Sequence, residues 1–166
     1  MSQDFQARLA LSREQLDRDA IARHNPELLG DLLASEQTRI LLIRKGKAAI
    51  ADAALMFFAA ADIAPTTTTV YLGRDLDDQV PYVAAFVDSD DALAGAAQTL
   101  TDEQWEDLRV IGTALSDRDS GLFTQALALY HWHATHSHSP KTGAPSVPSV
   151  AGWVRKSTAD GSEQFP

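Results

Sequence analysis

Apolar positions along this chain change their spacing several times, and each change predicts an element. Ser12-Arg13-Glu14-Gln15 has the form of a capping box, in which Ser12 accepts from the backbone and Gln15 reaches back. Leu16, Ala20 and Ile21 then form a narrow apolar stripe, which predicts a helix to about His24. Asn25-Pro26 ends it, and Pro26 can open a second short helix with Leu28, Leu29, Leu32 and Leu33 on one side. The branched apolar run Arg39 to Arg44 reads as a buried strand, and Lys45-Gly46 offers a turn into a second strand over Lys47 to Ile50.

Residues 51 to 64 are rich in alanine, which favours helix. Pro65 and the threonines after it suit entry into a strand. Val70 to Gly73 and Val80 to Val87 read as two strands joined by an acidic loop. Tyr82, Ala84 and Phe86 alternate with Pro81, Val83 and Ala85, so both faces of that strand should be covered. Thr101 to Gln104 forms a second capping box, predicting a helix through Val110, and Ser116 to Asp119 a third, predicting one to about Thr135. Leu122, Phe123, Ala126, Leu129, Tyr130 and His133 give this last helix a core face. Pro140, Pro145 and Pro148 forbid regular helix beyond it. The expected fold is α+β, a mixed or antiparallel sheet with flanking helices over residues 1–135, followed by a small β appendage over 136–166.

At 166 residues, with 45% apolar and 22% charged side chains, the chain has the composition of a soluble domain. No run approaches the ~18 apolar residues a membrane span needs, and the start Met1-Ser2-Gln3-Asp4 has no leader pattern, so a cytoplasmic location is the default. The absence of cysteine excludes disulfides. A net charge of −9 disfavours an extended nucleic-acid surface, which needs Lys and Arg. Asp75, Asp77, Asp78, Asp88, Asp90 and Asp91 bracket one strand and read as solvated loops. Near the C-terminus the balance reverses. Lys141, Arg155 and Lys156 face only Asp160 and Glu163, which fits an ordinary surface or an anionic ligand.

The same segment repeats one spacing. Ser139 and Thr142 stand three apart before Gly143, and Ser157 and Asp160 stand three apart before Gly161. This is the frame of a zinc ribbon, in which two C-x-x-C turns supply four ligands. Hydroxyls replace thiolates poorly, so no zinc is expected; Ser139, Thr142 and Ser157 should instead bond turn amides. The appendage is then expected to be held by Trp132, Val147, Val150, Trp153 and Phe165. His131, His133, His136 and His138 crowd together, but only His133 and His136 share a helix face, which argues against a substitute metal site. Trp153 could stack on a base, although a tryptophan pinning the appendage is the commoner use.

Four local patterns, in this order and spacing, resemble the NADH pyrophosphatases of the Nudix superfamily, which also hydrolyse NAD-capped RNA. They are Leu129-Tyr130-His131-Trp132-His133, the frame Ser139-Pro140-x-Thr142-Gly143-Ala144-Pro145, Gly152-Trp153-Val154-Arg155-Lys156, and the strands Val70–Gly73 and Pro81–Ala84. The resemblance implies strand rather than helix around Leu55 to Phe58. It implies that Arg109 contacts substrate and that Phe165 takes the place of a tyrosine that stacks on the substrate base. The residues alone leave Arg109 open between that role and a surface arginine paired with Glu106 or Asp107. Gly152 stands where some members carry a substrate-contacting glutamate, so that contact has no counterpart here.

The Nudix signature, G-x5-E-x7-R-E-x-x-E-E-x-G, does not occur in the 166 residues. Catalytic residues are therefore not expected in this chain, and magnesium or manganese would belong to a catalytic domain beyond it. Two functional readings follow. In one, the chain is the N-terminal portion of an NAD(H) diphosphatase, shaping the substrate pocket, binding nucleotide weakly and forming a homodimer. In the other, it is a non-catalytic module for self-association or partner binding.

Overall fold

The computed structural model of the protein describes residues 15–166. β1 (Leu16–Asp17) is followed by a 3-10 turn at Ala22–His24, helix α1 (Leu28–Ala34) and strands β2 (Arg39–Arg44) and β3 (Lys47–Ala51). The β2–β3 hairpin turns through Lys45 and Gly46 at φ of 51° and 78°, the left-handed pair whose twist matches that of flanking strands. The alanine-rich stretch forms two short strands, β4 (Ala54–Leu55) and β5 (Phe57–Phe58), as the resemblance implied. Then come β6 (Thr68–Asp75), β7 (Pro81–Phe86), β8 (Trp105–Asp107), the single-turn helix α2 (Leu108–Ile111) and the long helix α3 (Asp117–Thr135). β9 (Ser146–Ser149), β10 (Val154–Ser157) and β11 (Glu163–Gln164) close the chain.

The main sheet has the order β1-β6-β7-β2-β3-β4, with β5 added to β2 and β8 to β3. β2 and β7 run parallel, from Arg39 opposite Tyr82 to Ile43 opposite Phe86, while the hairpin partners run antiparallel, so the sheet is mixed. Strand alternation divides the core in two. Leu41, Ile43, Val70, Leu72, Tyr82 and Ala84 face Leu122, Phe123, Ala126 and Leu129 of α3. Ile40, Leu42, Tyr71, Val83 and Ala85 face the other way, toward Leu28 and Leu32 of α1 and the buried Trp105. Both faces are covered, as the apolar run at β7 requires.

Two local readings are overturned. The residues after Gln15 form no continuous helix: Leu16 is buried as a strand residue opposite Asp75 on the edge of β6, and Ile21 is 90% exposed. The cap at Ser12 lies outside the described residues. The second capping box does form, with the Gln104 side chain accepting the Thr101 amide at 3.0 Å. It closes only one 3-10 turn, Asp102–Gln104, because Trp105 reaches the core by extending along β3. Tertiary pairing overrides local helix preference at both places.

The last three strands form a separate antiparallel sheet, β11-β10-β9, seated beside the end of α3 and on β6. Its anchors match those expected only in part: Trp132 is buried and Trp153 bonds to Tyr71. Val147 is 50% exposed and Phe165 66% exposed, so neither holds it; Val154, Gly152 and Arg155 are buried instead. Among the described residues, no helix is long and apolar enough to cross a membrane.

Candidate functional site

Ser116 fixes the start of α3 by accepting the Asp119 amide at 3.1 Å. From there the buried stripe Leu122, Ala126, Leu129 continues one turn further to His133, where hydrocarbon gives way to an imidazole. His133 is buried, and both ring nitrogens are engaged: Nε2 lies 2.8 Å from the Gly152 carbonyl and Nδ1 2.9 Å from Arg155 Nη1. A guanidinium only donates, so Nδ1 accepts and the ring proton sits on Nε2, donating to Gly152. Burial pulls the imidazole below its ordinary 6.5; the bond to Gly152 opposes this, while Arg155 and His136 add to it.

Arg155 is only 8% exposed. Its Nε donates to Ser146 Oγ at 2.9 Å and its Nη2 to the Ser146 carbonyl, and Ser146 Oγ donates in turn to the His136 carbonyl at 2.7 Å. The guanidinium thus ties β10 to β9 and to α3. Among the described residues no carboxylate lies within 4.0 Å of it. The other two cations of the segment are paired, Lys141 with Asp160 at 2.9 Å and Lys156 with Glu163 at 3.1 Å. The basic excess visible in the sequence therefore resolves to one buried arginine.

Beside this pair lies a cavity of about 200 Å³, lined by Thr68, Phe86, Asp88, Tyr130, His133, Ala134 and Arg155. The Tyr130 hydroxyl donates to Asp88 at 2.9 Å, and Asp88 also accepts the Lys45 amide at 2.9 Å. Burial and that bond push the Tyr130 phenol up to about 12, so it remains a donor. Phe86 and Tyr130 meet edge to face, 5.4 Å between ring centres. From the sequence, Arg155 stood only within a basic excess that fits an ordinary surface or an anionic ligand, and nothing there joined it to His133, Tyr130 or Phe86.

The residues singled out by sequence lie elsewhere. Arg109 is exposed on α2, and its backbone amide is capped by Asp107 at 2.9 Å; its side chain makes no ion pair with Glu106 or Asp107. Phe165 follows β11 in the other sheet, and no hydrogen bond or ring contact joins the two. Trp153 pins the C-terminal sheet: Nε1 donates to the Tyr71 carbonyl at 2.7 Å, and the Arg23 guanidinium covers its ring at 3.7 Å. Gly152 makes that seat possible. Its φ is +89°, and a Cβ there would lie 2.7 Å from Val70.

The four frame positions meet through hydrogen bonds. Thr142 Oγ1 and Ser157 Oγ lie 3.1 Å apart, and Ser139 Oγ accepts the Lys141 and Thr142 amides at 3.3 and 3.4 Å. Bonds from Ser162 and Lys141 hold the Asp160 carboxyl well below the usual carboxylate range. This donor set, three hydroxyls and one carboxylate, does not fit zinc. Among the described residues, no three His, Cys, Asp or Glu side chains gather where they could hold a metal ion.

Residues 29–132 match the family described as the NADH pyrophosphatase-like rudimentary NUDIX domain. The chain is also 30% identical, over 128 residues, to proteins of Mycobacterium tuberculosis and Mycobacterium bovis named NAD-capped RNA hydrolase NudC. That similarity covers 74% of this chain and 38% of each relative, so the chain spans well under half of their length. A mixed sheet with helices on both faces and a family match over most of its span together show that this protein belongs to the NADH pyrophosphatase-like NUDIX family.

Proposed function

We propose that these residues form the substrate-shaping, self-associating portion of an NAD(H) diphosphatase. Such an enzyme would act on the pyrophosphate of NADH, NAD or an NAD cap on RNA, in the cytoplasm. The observation that carries this reading is the similarity to NAD-capped RNA hydrolases in a chain without the glutamate-rich signature. Pyrophosphate cleavage in that superfamily needs clustered carboxylates that hold divalent ions and activate water. This chain then contributes binding and not the chemical step, and carries neither zinc nor the catalytic metal.

Arg109 would offer the pyrophosphate a permanently charged, forked donor. Its exposure and its lack of a carboxylate partner among the described residues support that role. Phe165, largely exposed, would present a ring face to a base. The exposed Val147 and Phe165 on the C-terminal sheet support self-association. Titrating NADH into the chain without metal should give weak, saturable binding that Arg109→Ala and Phe165→Ala each reduce. Absence of binding would sink the substrate reading, and a monomer by light scattering at micromolar concentration would remove the self-association part.

A further inference from the structure

Neither Arg109 nor Phe165 lines the Arg155 cavity, and its polar inventory is incomplete. A guanidinium carries five N–H donors. Three are committed, to Ser146 Oγ, the Ser146 carbonyl and His133 Nδ1, which leaves one on each terminal nitrogen without a partner among the described residues. All three acceptors are neutral, so the charge itself is uncompensated. A buried cation without a counter-charge is costly, and natural proteins seldom leave one unless an anion completes it.

A second observation comes from the register of the C-terminal sheet. Gln164 stands directly opposite Arg155 across β10 and β11, so the two side chains share one face. Both polar atoms of the Gln164 carboxamide are buried and unpartnered. Gln164 does not line the cavity, so its orphaned atoms show that the polar surroundings of Arg155 are incomplete without forming a wall of the site. The cavity wall adds hydroxyls from Thr68 and Tyr130 and an aromatic surface from Phe86. Asp88 stands at the same cavity but is exposed, and its carboxylate is held by Tyr130 and the Lys45 amide rather than by Arg155.

The geometry points to a binding site for a small molecule bearing an oxyanion, a phosphate or a carboxylate, between α3, β7 and β10, with Arg155 as its cation. About 200 Å³ admits such a group with a few further atoms. The two free N–H bonds of the guanidinium are its donors. His133 acts as a positioning residue, fixing Nη1 through its acceptor nitrogen. The site uses neither Arg109 nor Phe165, so loss of NADH binding would leave it standing.

The test titrates the 166-residue chain at low ionic strength with inorganic phosphate, AMP and acetate in turn, following the His133 ring resonances by NMR. Saturation at one site is expected from at least one of them. Phosphate and AMP saturating without acetate assigns a phosphate, and acetate saturating alone assigns a carboxylate. Arg155→Gln should weaken binding by about tenfold or more. Because Arg155 also ties β9 to α3, a second variant guards against loss of the fold. Asp88→Asn keeps an acceptor for Lys45 and Tyr130 and removes the nearby negative charge, and should tighten binding by about threefold. No saturation by any of the three anions, or affinities unmoved by both substitutions, overturns the site.

Discussion

His133 is where a sequence pattern and a buried polar site coincide. Folded, its imidazole is pulled below its ordinary 6.5, chiefly by burial; in the unfolded chain it titrates near 6.5. Below that pH the unfolded state therefore binds the proton more readily. The stability contributed is complete above about 6.5 and is lost as pH falls through it toward the folded value. Thermal melting should drop between pH 7 and pH 5, and His133→Gln should flatten that slope. A parent protein whose melting is level across the interval would contradict the assignment. Gly152 gives a sharper steric prediction. At φ +89° and with Val70 in the way of any Cβ, Gly152→Ala should cost about 2–4 kcal/mol in a denaturant titration, while Gly161→Ala, with open space around it, should cost less.

At the scale of elements, the sequence was legible where local preference and tertiary demand agreed. The third capping box opens α3 at Asp117 because the stripe behind it, Leu122 to His133, lies on the face the sheet needs covered. The second box is chemically as good, yet Trp105 one residue later belongs to a core under β3, and the helix yields to a strand. The C-terminal frame was legible as spacing but not as packing. Two apolar residues expected to anchor it, Val147 and Phe165, face solvent, while an arginine lies inside. The Thr142–Ser157 contact and the Lys141–Asp160 pair link the two turns by a hydrogen bond and an ion pair. Protein purified without a histidine tag should accordingly hold no stoichiometric zinc, and a chelator should leave its melting unchanged. Near one zinc per chain, or melting that falls on chelation, would show that this donor set binds metal after all.

For the whole molecule, the proposal is a division of labour in which this chain would bind and shape the substrate site without cleaving. The covered sheet faces were readable at β7, whose nearly continuous apolar run demands cover on both sides, and β2 was readable as a buried strand from its branched apolar run. The Arg155 cavity was not readable, because it assembles from α3, β6, β7 and β10, which are far apart in sequence. The described residues offer no cluster of carboxylates or imidazoles fit for a metal, and two-metal or one-metal activation of water depends on such a cluster. Purified chain incubated with NADH and manganese, with products resolved as NMN and AMP, tests the claim most directly. No product above the uncatalysed background is expected. Product at enzyme-like rates, abolished by substituting one of the chain's aspartates, would contradict it.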